Sequence, residues 1–300
     1  MKLEKLLDRC KKLSRPYRVT DGEGFRLKDV DPGDTAGFSD EDKPQAKEAL
    51  QVGVQALATF QEMLYADDRW GMLLIFQAMD AAGKDGAIKH VLSGVNPQGC
   101  QVFSFKAPSA EELDHDFLWR CSKSLPERGR IGIFNRSYYE EVLAVRVHPE
   151  FLKAQKLPNE VQGKKIWEER FADIRAYERY LARNGFAICK FFLHLSRKEQ
   201  KKRFLARLDD PDKNWKFSVS DAKERGHWDD YMQAYEQMVR GTASKQAPWY
   251  VVPADNKWFT RTVVAAAVID RLASLNLAFP KVDDKKKAEL EEARRLLMSE

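Results

Sequence analysis

A chain of 300 residues suits one large domain or two small ones, and with 43% hydrophobic and 32% charged residues it has the apolar mass for a packed core. No apolar run approaches the ~18 residues of a membrane span, and the N-terminal MKLEKLLDRCKKL interleaves acids and bases where a signal peptide has an apolar centre. A net charge of +5, from 51 bases and 46 acids, demands no nucleic-acid partner, so a cytoplasmic protein that engages neither membrane nor nucleic acid is expected.

Residues 1–18 read as a short amphipathic helix. Residues 20–40 carry Gly22, Gly24, Pro32, Gly33 and Gly37 with little periodicity and read as an extended arm over the surface. Arg18, Arg26 and Lys28 on or beside it are either solvated charges or contacts to an anion. Leu50, Val54, Leu57, Phe60, Met63 and Leu64 recur at three-to-four spacing and predict a helix over 43–65. An apolar strand over 72–76, a small polar turn over 78–86 and a helix with Ile88, Val91 and Leu92 on one side follow. After the loop SGVNPQG, residues 100–105 alternate as a strand. Ser109 and Glu112 form a capping box that opens a helix to about residue 124. The next strand, GRIGIFN, ends at Asn135-Arg136-Ser137 and a further helix. A long helix is expected over 164–184, a nearly continuous apolar strand over 186–195, and a very basic helix capped by Ser196. Residues 209–245 are polar and rich in Trp, Asp and Lys. A last strand (248–253), a last core helix (256–275) and a charged amphipathic tail (283–300) complete the chain.

Alternating strands and helices predict an α/β fold with a parallel sheet covered on both faces, where ligands sit at the carboxyl ends of the strands. The expected organisation is an N-terminal helix and arm (1–42), one main domain (43–280, with 209–245 as an insertion) and the tail. Four cysteines without a C-x-x-C, and five dispersed histidines, argue against zinc and for free thiols in a reducing compartment.

The stretch MLLIFQAMDAAGKDGAIKHV organises the rest. A strand, a small turn and a helix joined at Gly83-Lys84 is how phosphate-binding loops are built, with backbone N–H groups aimed at the anion and the lysine adding a point charge. Against G-x-x-x-x-G-K-[ST], the first glycine is Ala78 and the hydroxyl residue is Asp85, and a further acid, Asp80, lies inside the turn. Two acids among phosphates make sense when metal ions stand between them and a highly anionic ligand. The other parts of a phosphoryl-transfer site follow at later strand ends. Arg136 can fork onto a phosphate, Asn135 and Glu140 stand where a Walker B acid would, and Arg203, Arg207, Lys213 and Lys216 lie where nucleotide kinases carry a basic lid. Arg203 and Arg207 share a helix face and offer a channel for a polyanion.

FQAMDAAGKDG, SGVNPQG, HDFLWR, FNRSYYEEVL with VRVHPE, FFLHLSRKEQKKRF, DPDKNWKFS and APWYVVPADNKWFTR together resemble the polyphosphate kinase 2 family, and its single-domain class III members most closely, over about residues 16–280. The resemblance implies a thymidylate-kinase-like P-loop fold, a three-layer α/β/α sandwich with a helical lid. It implies transfer of a phosphoryl group from inorganic polyphosphate to nucleoside mono- and diphosphates, AMP through ADP to ATP, with magnesium, or manganese in its place. Asp80, Lys84, Asp85, Arg136 and Glu140 then form the catalytic set, with Asp80 and Asp85 on the metal. Ala82, Gly83, Lys84, Arg203, Arg207, Lys213 and Lys216 hold polyphosphate, while Asn96, Arg120, Asn135 and Arg136 serve the nucleotide. The family position often filled by aspartate before Arg-Ser is Asn135 here. An ATP-dependent nucleoside monophosphate kinase is the alternative, and a non-catalytic binder of polyphosphate or nucleotide a second. The amphipathic ends, 3–13 and 283–298, are faces on which a homo-oligomer would form.

Overall fold

The computed structural model of the chain describes residues 3–299; Met1, Lys2, Glu300 and the side chain of Lys216 lie outside the described residues. The apolar runs become strands of one sheet: β1 (Arg18–Val19), β2 (Gly71–Gln77), β3 (Cys100–Ser104), β4 (Ile131–Asn135), β5 (Phe186–His194) and β6 (Trp249–Pro253). Their order is β1-β6-β5-β2-β4-β3, with β1 antiparallel to β6 and every other pairing parallel. The helices are α1 (Leu3–Ser14), α2 (Lys43–Asp67), α3 (Lys84–Val91), α4 (Ala110–Leu113), α5 (Trp119–Ser122), α6 (Ala144–Val147), α7 (Pro149–Lys153), α8 (Ile166–Arg183), α9 (Arg197–Leu208), α10 (Val219–Glu224), α11 (Trp228–Thr242), α12 (Lys257–Ala273) and α13 (Asp284–Met298).

The pleat explains why the strands read as apolar runs rather than alternations. Met72, Leu74 and Phe76 of β2 point into one core with α1, α2, α3 and α12, and Leu73 and Ile75 point into another with α8 and α11. β5 and β6 divide in the same way, Phe191 and Tyr250 on the first side, Phe192 and Trp249 on the second. Register then aligns the carboxyl ends. Phe76 pairs with Asn135, Gln77 with Phe192, and His194 with Pro253, so the segments that leave β2, β4, β5 and β6 emerge together.

An ion pair lies inside the second core. Lys190, fully buried, uses its three protons on Glu178 Oε2 (2.7 Å), the Tyr139 hydroxyl (2.9 Å) and the Thr242 carbonyl (2.8 Å). Glu178 Oε1 accepts from the hydroxyls of Tyr138 and Tyr139 (3.0 and 2.6 Å), so the network ties the segment after β4 to β5, α8 and α11. Burial pushes the Lys190 pKa down, and Glu178 opposes that.

Two expectations change and a third is met. Residues 109–124 form not one helix but α4 and α5, because Asp116 Oδ1 accepts the Leu118 N–H (2.9 Å) and turns the chain between them. The insertion 209–245 divides: α11 buries Trp228, Tyr231, Tyr235, Met238 and Val239 in the second core, which leaves 209–227 to overhang the strand ends. The arm lies over the surface as expected, and it is pinned there. Asp255 N–H donates to the Pro32 carbonyl (3.0 Å), Asn256 Nδ2 to that of Gly33 (3.2 Å), and Leu27 N–H to Glu236 (2.8 Å). Arg18, Arg26 and Lys28 are exposed on it and line neither of the two cavities described below. The four cysteines are free, and burial pushes Cys10 and Cys100 up to about 11 and Cys121 and Cys189 up to about 12. Among the described residues no helix is long and apolar enough to cross a membrane. α13 buries no residue.

Replacing Lys190 by Met strands the Glu178 carboxylate in the core. Urea unfolding should show a loss of about 3–5 kcal/mol, part of which the double variant Lys190→Met/Glu178→Gln recovers.

Candidate active site

Between β2 and α3 the chain turns through Ala78, Met79 and Ala82, all buried, with Ala81 (φ 64°) and Gly83 (φ 101°) in the left-handed region. Left-handed residues among right-handed ones curl a backbone into a concavity of N–H groups, and the first turn of α3 adds its own. Ala78 keeps out of the left-handed region, so its Cβ is tolerated where the common pattern has glycine. Lys84 is buried and its Nζ donates to the Ala78 carbonyl at 2.8 Å, which holds the ammonium within the turn. Burial above all, then the Arg136 charge, lowers the Lys84 pKa; Asp80, Glu140 and Asp85 act against this.

The end of β4 forms the facing wall. Asn135 Nδ2 donates to Asp85 Oδ1 (2.7 Å), and Arg136 Nη2 to Asp80 Oδ1 (3.1 Å). Arg136 is itself left-handed (φ 64°), a backbone cost tolerated where its side chain must be aimed. Ser137 Oγ accepts the Tyr139 N–H (3.1 Å) and starts the 3-10 turn Tyr138–Val142 that carries Glu140. The Gln77 amide is oriented with its nitrogen toward Glu140 Oε1 (2.8 Å), the arrangement that also lets its oxygen accept from Ser137. Burial raises the Glu140 pKa more than Arg136 and Lys84 lower it, and Glu140, ahead of Asp80, raises that of Arg136. Six of the sequence candidates are thus brought together: Asp80, Lys84, Asp85, Asn135, Arg136 and Glu140.

This cluster sets three carboxylates against two cations. Asp80 and Asp85 each spend one oxygen on the contacts above. Among the described residues no three His, Cys, Asp or Glu side chains gather as a protein-only metal cage. Two carboxylates beside a phosphate loop are hard oxygen donors of the kind that could hold magnesium together with a phosphate ligand.

Two cavities meet here. A groove of about 760 Å³ runs from the loop past Arg207, Lys213, Lys257 and Arg261. A smaller cavity of about 350 Å³ lies beyond Arg136, between Phe105 and Phe117, with Glu140 and Arg120 in its wall. Arg136 lines both.

Other candidates stand elsewhere or act differently. Asn96 is exposed, caps the turn Pro97–Gly99 through Gln98 N–H (3.0 Å) and lines neither cavity. Arg120 braces the wall of the smaller cavity, donating to the Lys106 carbonyl (2.8 Å) and pairing with Glu112 (3.5 Å). Lys213 faces the groove but pairs with Asp210. Lys216 has its side chain outside the described residues. Ala82 and Gly83 lie on the loop as expected. Arg203 borders the groove yet is buried, bonded to the loop's own backbone and not open as a channel residue. Reasoning from sequence missed Lys257 and Arg261, although they stand i,i+4 just past a strand end; the apolar periodicity of α12 hid them.

Glu140→Gln tests the balance of charges. A carboxyl whose folded pKa exceeds its unfolded value costs stability above that unfolded value, near 4.5, and nothing well below it. The variant should therefore melt no lower than the parent at pH 7, with any advantage gone at pH 3. A clearly lower midpoint at pH 7 would mean that pairing with Arg136 and Lys84 outweighs burial.

Residues 38–280 match the family model for polyphosphate kinase 2. The chain is 53% identical over 290 residues to an ADP-polyphosphate phosphotransferase of Rhodopseudomonas palustris, covering 95% of this chain and 98% of that one. It is 42% identical over 267 residues to an AMP/ADP-polyphosphate phosphotransferase of Meiothermus ruber, covering 89% and 96%. A crystal structure of polyphosphate kinase 2 from Arthrobacter aurescens superposes with a TM-score of 0.86 at 42% identity, over 96% of this chain and 97% of that one.

Proposed function

The chain belongs to the polyphosphate kinase 2 family, and from that premise we propose that it moves the terminal phosphoryl group of inorganic polyphosphate onto AMP and ADP, yielding ADP and ATP. The observation that carries this reading is the meeting of a long basic groove and a smaller, part-aromatic cavity at Phe105, Lys106 and Arg136. A polyanion with roughly one charge per phosphate needs many bases in a row, and the groove has them. A nucleoside needs an apolar slot with a cation for its phosphate, as Phe105, Phe117 and Arg136 provide.

In the reaction, the terminal phosphoanhydride P–O bond of the chain breaks and a P–O bond to the acceptor's phosphate oxygen forms. The shortened chain leaves with the bridging oxygen. The loop N–H groups and Lys84 hold the terminal phosphates, and Arg136 orients the acceptor phosphate against them. A phosphate monoester is largely ionised near neutral pH, so alignment and charge neutralisation contribute more than proton abstraction. Asp80 and Asp85 would hold magnesium, which supplies positive charge between two anionic substrates. Closure of 209–227 would exclude water that competes for the phosphoryl group. Four free cysteines fit a cytoplasmic setting.

Incubation with AMP, magnesium and polyphosphate should yield ADP and then ATP, while ATP plus AMP in place of polyphosphate should turn over far more slowly. Faster turnover with ATP would favour a nucleoside monophosphate kinase. Lys84→Ala and Asp85→Ala should each lower kcat at least a hundredfold with an unchanged circular dichroism spectrum, and near-normal rates would remove the loop assignment. Arg207→Ala, Lys257→Ala and Arg261→Ala should each raise the KM for polyphosphate several-fold and leave the AMP KM within about twofold. Equal losses for both substrates would contradict a separate donor groove.

A further inference from the structure

Arg203 was expected to touch the polyanion, but its donors are fully used inside the protein. Nη1 donates to the carbonyls of Ala81 and Ala82 (both 3.0 Å). Nη2 donates to those of Ala254 (2.7 Å) and Asp255 (2.9 Å), and Nε to Glu199 Oε1 (2.9 Å). A guanidinium has five N–H bonds, and all five are taken. Gln200, also buried, donates from Nε2 to the Asp80 carbonyl (2.9 Å) and accepts from Arg225 Nη1 at the base of the overhang (2.7 Å). Three successive loop carbonyls, at Asp80, Ala81 and Ala82, are therefore held by α9.

In a trans peptide the carbonyl and the following N–H point opposite ways. Fixing the carbonyls of Asp80 and Ala82 against α9 turns the N–H groups of Ala81 and Gly83 away from it. The same bonds hold Ala81 in a left-handed conformation that an alanine resists. Arg203 also fixes the loop to the end of β6, from which α12 brings Lys257 and Arg261 to the groove. We propose that Arg203 and Gln200 are positioning residues: they hold the phosphate loop in its anion-receiving shape, and Arg203 gives no hydrogen bond to the chain. This rests on the groove being the polyphosphate site.

The test is polyphosphate binding by the full-length protein across a series of salt concentrations. Each cation that touches phosphate steepens the dependence of log Kd on log salt by about one, through released counterions. Arg203→Lys should weaken binding about tenfold or more at every salt concentration with the slope unchanged. Arg207→Ala, as the contact control, should lower the slope by about one. Gln200→Leu leaves the Arg203 bonds in place and should give the Arg203→Lys pattern at smaller size, raising the polyphosphate KM with the AMP KM unmoved. Adding Ala81→Gly to Arg203→Lys should restore binding about fivefold, since glycine takes the left-handed conformation unaided; a purely architectural lesion would not respond. A slope that falls in Arg203→Lys as in Arg207→Ala, or an unchanged affinity, overturns the proposal. Absence of polyphosphate binding by the parent protein would instead remove the donor assignment on which it rests.

Discussion

Parallel pairing in register is the constraint on which this structure depends. Once β2, β4, β5 and β6 run the same way with Phe76 beside Asn135 and His194 beside Pro253, every chain segment that leaves the sheet does so at one edge. Residues 50 to 122 positions apart then become neighbours with no further device: Asp85 with Asn135, Asp80 with Arg136, Arg203 with Ala81. The cost of parallel pairing is that both faces must be covered, and α12 on one side and α11 on the other do this with apolar faces. The buried Lys190–Glu178 network belongs to the same logic. It reaches Tyr138 and Tyr139, the residues just before Glu140, and so anchors the wall that faces the loop.

At the strand ends the electrostatics are deliberately unbalanced. Three carboxylates and two cations share a partly desolvated space. Burial pushes the Lys84 and Glu140 pKa values toward their neutral forms while the neighbours push back. Such a cluster is costly by itself and gains from a divalent cation and from anionic phosphate. The groove beyond it carries an excess of positive charge, with Arg207, Lys257 and Arg261 against Asp221, and Lys213 paired with Asp210. The Lys257 pKa is lowered first by burial and then by Arg203 and Arg261, cations near enough to be felt. Attraction of a polyanion and repulsion among the groups that attract it are one property.

What was legible in the sequence is what local pattern controls. Strands buried on both faces must be apolar runs, so all five parallel strands stood out. Ser196, which accepts the Glu199 N–H, and Ser109 marked helix starts correctly. The loop was legible because its chemistry is contiguous. Properties set by distant partners were not. Arg203 and Arg207 occupy the same face of one helix and look alike in sequence, yet the acceptors that claim Arg203 come from the loop before α3 and from the end of β6. The Trp and Asp content of α11 masks its core role, although Trp228, Tyr231, Tyr235 and Met238 have helical spacing. Asn96 looked like a ligand residue because a polar side chain in a turn-rich loop suits either a cap or a contact, and local geometry made it a cap.

The position of Arg136 on the border of both cavities bears on how such a protein evolves. If the two cavities take the two substrates as proposed, Arg136 touches both and cannot be tuned for one without altering the other, so it is a poor place for adaptation. Variation has room where a side chain meets a single cavity: Lys257 and Arg261 along the groove, Phe117 and Glu112 around the slot. On that assignment, descendants of this fold would diverge in the length of chain they take and in the base they prefer along separate mutational routes, while the point at which the two cavities meet stays the same.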